Sequence, residues 1–491
     1  MADLPTAAVG QAQAPRRRVG VTSEHANYKW WALSCTGLGM LLATVNSGTL
    51  IIALPDLERA LHTTILQLVW VILAYMIAST VLVLTAGRLS DLFGRKHAYV
   101  GGFIVFALAS LGAGFVTNGT ELILWRIVQG IGGAFLFANA AALVTDAFPR
   151  EQLGLAMGTN TMIAAVGLVI GPVLGGVLVS ISWHWVFWFN VPLGLAGGAW
   201  GALVLHELAR RDVQRGYDLL GTATFVTGLT GLVLGISKGG ISGWNDPVVI
   251  VGLVAAAVLL PLFVLIERHG RAPMLDLTIF ENRLFAAATA AAFINGLSRF
   301  ALLFVFVFYY QGAQGDDPIT AGIKLTPMAV GMLVSSPLAG IYADRRGSRM
   351  LAALGMLVSA IALAAMTTLE ADSPYWQSTL WLGLVGIGSG MFNSPNTAAM
   401  MGAVPAHRRG IAAGARMMLQ NTGAVLSIAF VLAIVTSAVP KDVLFKIFSG
   451  LASGLTDAQL APFIDNMHTA LWVLAATSVV GAGVSLMRPK S

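Results

Sequence analysis

The sequence predicts an all-α membrane protein: fourteen transmembrane helices, arranged as two pseudo-symmetric six-helix bundles plus two extra helices. Three observations carry that expectation. Of 491 residues, 56% are hydrophobic and only 11% are charged, against roughly 45–50% apolar and about 25% charged in soluble proteins. Apolar stretches of about 20 residues, the length that crosses a hydrocarbon core of about 30 Å, recur along the chain. The chain also repeats itself at an offset near 253 residues.

This composition, with a mean hydropathy of +0.78, excludes a soluble enzyme, a disordered protein and a nucleic-acid binder. The net charge of +6 is spread thinly rather than gathered into a phosphate-seeking patch. Cys35 is the single cysteine, so no intramolecular disulfide and no cysteine-based metal site can form. No zinc-protease helix motif, phosphate-cradling loop with lysine or Ser/His/Asp set occurs, and no cofactor or metal is expected.

Residues 1–29 are polar and carry Arg16, Arg17 and Arg18. No apolar core follows them before the first long span, so they read as a cytoplasmic tail rather than a signal peptide. Spans at 30–54, 65–86, 98–117, 121–147, 155–181 and 185–207 build an N-terminal bundle over 30–207. Two more, at 218–236 and 247–266, carry no buried charge and read as a peripheral hairpin within 208–283. A C-terminal bundle over 284–487 takes the spans 284–310, 321–342, 350–369, 375–403, 410–438 and 467–487. Within it, the outside loop 439–466 places Val443, Leu444, Phe445 and Phe448, then Leu460, Phe463 and Ile464, at helical spacing. They read as short amphipathic helices on the membrane surface, or as a lid over the outer mouth.

An even number of spans puts both termini on one side, and basic residues mark the inner side. Of 29 Lys and Arg, 21 fall on the side of the termini, four on the other, and four, Arg126, Arg299, Lys324 and Arg416, within spans. Both termini are therefore expected in the cytoplasm. Arg outnumbers Lys 22 to 7, a bias of GC-rich bacterial genomes, which makes a bacterial inner membrane the expected location.

The repeat is specific. Gly87, Asp91, Gly94 and Lys96 between spans 2 and 3 match Gly340, Asp344, Gly347 and Arg349 between spans 10 and 11, at an offset of 253. Pro149, Gly154, Gly158 and Gly167 match Pro405, Gly410, Gly414 and Gly423 at an offset of 256, as Gly130 and Gly132 match Gly386 and Gly388. That distance holds six spans plus the extra two. Parallel repeats with a substrate site between them, near the bilayer midplane, are a transporter architecture.

Across residues 30–487 these motifs resemble the major facilitator superfamily, and within it the fourteen-span drug:proton antiporter branch. Gly87, Leu89, Asp91, Gly94, Arg95 and Lys96 look like its cytoplasmic loop signature. Leu122, Arg126, Gln129, Gly130 and Gly132 in span 4 look like its second motif, and Gly167, Gly171, Pro172, Gly175 and Gly176 in span 5 like its antiporter motif. Trp183, Trp185, Phe187, Asn190, Pro192 and Gly194 resemble the start of its span 6, with His184 where that branch usually has Arg. The resemblance implies a gating role for Gly87, Asp91, Gly94 and Arg95 and for Gly340, Asp344 and Gly347. A topogenic loop alone would need only the basic residues. It implies proton handling by Arg126, with Gln129 beside it, and bending or close packing of span 5 at Gly167, Gly171, Pro172 and Gly175.

One position departs. The branch usually carries an Asp in span 1, and here Asn46 stands in its place. None of the 23 Asp and Glu falls mid-span. The titratable candidates for coupling are then Asp146, at the inner end of span 4, and the carboxylates near the outer mouth. At an offset of 253, Asn46 pairs with Arg299. A cavity holding Arg299 and no midplane carboxylate suits an anionic, zwitterionic or neutral amphipath; the rival is an Arg299 spent on helix packing. Polar and aromatic residues in apolar spans complete the cavity candidates: Trp70, Tyr75, Asn295, Tyr309, Asn393, Asn396, Arg416 and Gln420.

The expected function is secondary active export of drugs or other amphipathic small molecules by alternating access, in exchange for protons, by a monomer embedded in lipid. The second reading is a facilitator or exporter of lipid-like or metabolite substrates with no strict proton coupling.

Overall fold

In a computed structural model, the described residues are 27–149, 152–207, 218–270, 273, 275, 277–405, 409–437, 439–448 and 455–489. Among them the regular structure is helical throughout. The first half comprises α1 (Tyr28–Ile52), α2 (Leu54–Leu61), α3 (Ile65–Phe93), α4 (Arg95–Ala113), α5 (Gly119–Ala147), α6 (Leu153–Ile181), α7 (Trp185–Trp188) and α8 (Asn190–Val204). A hairpin of α9 (Leu219–Ser242) and α10 (Pro247–His269) follows. The second half comprises α11 (Arg283–Val307), α12 (Pro318–Arg346), α13 (Arg349–Ala365), α14 (Tyr375–Gly402), α15 (Arg409–Thr436), α16 (Lys441–Phe448) and α17 (Asp457–Leu486).

Among the described residues, twelve helices, counting α7 with α8 as one, are long and apolar enough to cross a membrane. Two more long helices, α6 with 29 residues and α14 with 28, run in the same bundle. α14 carries Asn393, Pro395 and Asn396 within two turns.

Helix starts follow from side chains that satisfy the free N–H groups of a first turn. Thr64 and Gln67 form a capping box at α3. Asn118 accepts from Glu121 N at α5, Asp218 from Gly221 N at α9, Asn282 from Leu284 N at α11 and Asp317 from Ile319 N at α12.

The repeat is visible in the packing. In the first half α1 packs on α6, α3 on α5, and α4 on α5 and α8. In the second, α11 packs on α15, α12 on α14, and α13 on α14 and α17. The halves meet along α6 with α12 and along α3 with α15, which are equivalent pairs. The α9–α10 hairpin lies outside this frame, with α9 against α15 and α3.

Tyr28, the α3–α4 corner and the end of α8 lie together at one end, because Tyr28 Oη accepts from His206 N at 3.1 Å and Glu207 bonds the start of α4. We call this the basic end, since Arg88, Arg95, Lys96, Arg345, Arg346 and Arg349 gather at the two equivalent corners there.

The distal end is sealed. Gln311 Nε2 donates to Ile52 O at 3.1 Å across the two halves. The residues after α11, Phe308–Ala313, form a π-helical turn that is almost fully buried. Here the structure corrects the expectation of surface helices in 439–466. The apolar face of α16 packs into protein: Val443, Leu444, Ile447 and Phe448 are buried, and Phe448 stacks on Phe308 at 4.0 Å. Leu460, Phe463 and Ile464 belong to α17, which starts at Asp457 behind a Thr456 capping box.

Candidate functional site

The repeated glycines make the two corners at the basic end. Gly94 has φ +106° and Gly347 has φ +84°, a backbone region that only glycine enters without strain. Each closes one long helix and opens the next within two residues. At Gly94 there is a second reason: a Cβ would lie 2.5 Å from the Glu207 carboxylate. Glu207 accepts from the backbone N–H of Arg95 and of Lys96, each at 3.0 Å, and so caps α4 with a negative charge at its positive end. Gly87 faces Ala138 of α5, and Gly340 faces Ser394 of α14 in the equivalent place.

Arg95 reaches across this corner to α5. Its Nη1 donates to both carboxylate oxygens of Asp146, at 2.9 and 2.7 Å. The side chains of the two other gating candidates, Asp91 and Asp344, lie outside the described side chains. Asp146 thus joins the corner and not the buried charges. It is 20 residues from Arg126 on one helix, about 30 Å at 1.5 Å per residue.

Arg126 sits in a buried polar network in the first half. It is 1% exposed, with Gln129 at 0%, Asn46 at 1% and Asn190 at 0%. Arg126 Nε donates to Val71 O at 2.9 Å, another guanidinium N–H donates to Gln129 Oε1, and the Tyr75 ring lies 4.3 Å from the guanidinium carbon. Gln129 Nε2 donates to Ser110 Oγ at 2.7 Å and to Asn46 Oδ1 at 3.2 Å. Asn190 Nδ2 donates to the same Asn46 oxygen at 3.2 Å. Asn46, standing where the resembled branch has Asp, is therefore an acceptor for two amides. Ser110 and Asn190 were not among the site candidates; the signal for each was a polar residue in an otherwise apolar span.

Tight glycine contacts hold α1 against α6. A Cβ on Gly48 would lie 2.9 Å from Gly171 Cα and 3.1 Å from Pro172 Cδ, and one on Gly175 would lie 2.7 Å from Thr49 Cα. Gly167 abuts Thr44 in the same row. On the other side of α6, a Cβ on Gly176 would lie 2.6 Å from Pro318 O in the second half.

The second half is built differently. Arg416 Nη1 donates to Gln420 Oε1 at 2.7 Å, and Gln420 Nε2 to Asn393 Oδ1 at 3.3 Å, forming a half-buried chain between α15 and α14. Asn396 Nδ2 donates to Ala288 O at 3.1 Å, and its Oδ1 is buried without a partner. Asn295 is buried at 2% exposure with its Oδ1 unpartnered, and Arg299 at 7% with its Nε unpartnered. Lys324, expected within a span, is matched at the distal end by Asp316. Two cavity candidates lie toward the sealed end: Tyr309, whose Oη donates to Glu370 O at 2.6 Å, and Trp70, whose Nε1 is buried without a partner.

Two like halves of membrane-length helices, each holding buried polar groups and bridged at the distal end by Gln311, have the architecture of a membrane transporter. Comparison with known proteins agrees. Residues 36–427 and 288–488 match the Major Facilitator Superfamily. The chain is 29% identical to the tetracenomycin C resistance and export protein of Streptomyces glaucescens, over 82% of this chain and 74% of that one. It is 32% identical to the multidrug resistance protein Stp of Mycobacterium tuberculosis, over 81% of this chain and 74% of that one. The crystal structure of a bacterial homolog of the human lysosomal transporter Spinster, inward-facing and unoccupied, shares the fold, with a TM-score of 0.66 over 94% of this chain and 97% of that one, at 15% identity. The chain belongs to the Major Facilitator Superfamily. It is a multi-pass membrane transporter and not an enzyme.

Proposed function

We propose that this protein is a fourteen-span secondary active exporter of amphipathic small molecules, with the basic end in the cytoplasm of a bacterial inner membrane. Length supports α6 and α14 as spans, since 28 or 29 residues of helix reach about 40 Å. The gathering of Lys and Arg at one end supports the orientation. The packing equivalences divide the chain at 30–207, 208–283 and 284–487, and both halves of the path come from one chain, so the monomer is the transport unit.

The observation that carries the reading is the contrast between the two ends. Distally, α11 and α15 are buried almost throughout, and Gln311 bridges to Ile52. Toward the basic end, Arg416, Gln420, Asn421 and Asn393 are half-buried. Substrate enters this polar face from the cytoplasm, and the halves rock about α6–α12 and α3–α15 to release it outside. The names of the relatives, resistance and export, support the direction. Gly94 and Gly347 hold the corners about which the halves move. The Arg95–Asp146 pair latches one of them.

Proton exchange drives the cycle in this reading, with Asp146, tied to Arg95 at the corner, as the candidate coupling residue. Asn46 favours a second reading, export without strict proton coupling, because no Asp or Glu falls in the middle of a span. Proteoliposomes holding a pH-sensitive dye separate the two. Substrate-driven collapse of a proton gradient, lost in Asp146→Asn, is the result expected of antiport. Substrate crossing with no proton movement selects the second reading, and no crossing of any amphipath removes both.

A further inference from the structure

Among the described residues the middles of the spanning helices hold arginines and no carboxylate; the buried Glu58 and Glu267 stand in α2 and near the end of α10. None of the 23 Asp and Glu lies in the middle of a spanning helix. Burying a charge without a partner is costly, so the buried cations need an account. Arg488, just past the end of α17, donates to Ser485 Oγ at 3.2 Å and leaves Nε and Nη1 unpartnered, away from the middle of any span. Arg126 has the Val71 carbonyl, Gln129 and the Tyr75 face. Lys324 has Asp316. Arg299 has no hydrogen-bond partner among the described residues, and its Nε is sealed from solvent. The Phe300 ring beside it, 5.0 Å from the guanidinium carbon, contributes only a weak attraction.

Its surroundings fit an incoming anion. Asn295, four residues earlier, shares the same face of α11; its buried Oδ1 bonds nothing, and toward an anion its Nδ2 is the group that donates. At this depth α11 is fixed against α15, where Ala301 N donates to Ser427 Oγ at 3.2 Å. Nearer the basic end on α15 stands Arg416, half-buried, its Nε also unpartnered. A second guanidinium therefore lies on the approach. The equivalent of Arg299 in the first half is the neutral Asn46, so nothing there offsets the positive charge.

We propose that Arg299, with Asn295 one turn away, binds the anionic head group of the carried amphipath: a carboxylate, sulfonate or phosphate. This rests on the exporter reading and names its substrate class. A guanidinium suits such groups because its planar fork donates two parallel hydrogen bonds.

The test uses full-length protein in phosphatidylcholine vesicles and three dansyl-labelled amphipaths of equal chain length, ending in a carboxylate, a hydroxyl or a trimethylammonium group. The carboxylate is expected to move faster than the trimethylammonium. Arg299→Gln is expected to lower the carboxylate-to-hydroxyl flux ratio about tenfold or more, and Arg299→Lys to keep most of it. An unchanged ratio in Arg299→Gln, or equal wild-type flux of carboxylate and trimethylammonium, overturns the proposal. Thermal stabilisation of detergent-solubilised protein by the carboxylate probe, present in wild type and absent in Arg299→Gln, reads the site without transport. If that holds and no probe crosses, the exporter reading fails and the site stands. If the probes cross with no carboxylate preference, the reverse is true. Vesicles with added phosphatidylglycerol distinguish the source of the anion. Carboxylate flux suppressed by that lipid in wild type, but not in Arg299→Gln, assigns the site to a lipid head group and overturns the substrate assignment. Should Arg299→Gln not yield monodisperse protein, Asn295→Leu carries the same comparison.

Discussion

Arg95 at the start of α4 holds both carboxylate oxygens of Asp146 near the end of α5, at 2.9 and 2.7 Å. Two helices of the first half are thereby tied at the basic end. Both side chains are about a quarter exposed, at 24% and 23%, so solvent weakens the pair. Asp146→Asn and Arg95→Gln should each cost about 1 kcal/mol. The double variant should cost less than the sum of the two, because both changes remove the same Arg95–Asp146 interaction. Thermal unfolding of the four proteins in detergent checks this; additive losses would show that the pair does not act as a unit.

Gly94 is constrained twice, by its φ of +106° and by the Glu207 carboxylate where a Cβ would go. Gly94→Ala should destabilise by about 1–3 kcal/mol. Glu207→Gln keeps the shape of the cap and loses its charge, and should cost about 0.5–1 kcal/mol. Thermal stability in detergent ranks the two, and a Glu207→Gln effect larger than that of Gly94→Ala would refute the double constraint.

The approach of α1 to α6 depends on Gly171, whose Cβ would stand 2.9 Å from Gly48 Cα. Gly171→Val should force the helices apart at a cost of about 1–3 kcal/mol and abolish transport. Gly101 has nothing within 4 Å of its Cβ position, and Gly101→Ala should keep stability or raise it by up to about 1 kcal/mol. Vesicle flux and thermal stability of the two variants provide the contrast.

Asn46 Oδ1 already accepts from Gln129 and Asn190, so a carboxylate fits its place. Asn46→Asp should fold and restore a titratable group in the membrane interior. Its flux should then change about fivefold or more between pH 6 and pH 8, where the wild type changes less. A flat profile in the variant would show that this position does not couple protons to transport.

Asp317 caps α12 by accepting from Thr320 Oγ1 and from the N–H groups of Ile319 and Thr320. The Thr320 hydroxyl, then the backbone bonds, hold its carboxyl below the ordinary value of 3.8. A depressed carboxyl stabilises the fold above its unfolded pKa, and that contribution fades as pH falls through the folded value. Asp317→Ala should lose about 1 kcal/mol at neutral pH. It should also show a shallower loss than wild type below about pH 4, measured as thermal stability against pH.

Much of this was legible in the chain. The spans, the two corners and the pairing of halves follow from local rules: an apolar helix must match the bilayer, a corner needs a glycine, and a repeated motif implies a repeated shape. Arg126, Gln129 and Asn46 could be singled out because a polar group in an apolar run stands out. Their partners could not. Ser110 comes from α4 and Asn190 from α8, and only packing brings them to one oxygen or one amide. Asp146 shows the same limit. Its position at a helix end was plain, yet its attachment to Arg95, 51 residues away, depends on how α4 crosses α5.

Residues 439–466 mark the boundary most clearly. Their apolar spacing determined that a helix would form at 441–448, because periodicity is a local property. Whether that face met lipid or protein depended on Phe308 and Gly312, more than a hundred residues earlier, which offer a surface of matching shape. The same holds for the charges. The order of apolar and charged residues established that arginines, and no Asp or Glu, fall in the middle of spans. Which arginine is answered from within the chain, as Arg126 is, and which is left for a ligand, as Arg299 is, was decided by tertiary contacts, since a hydrogen bond requires two groups within about 3 Å and sequence order does not set that distance.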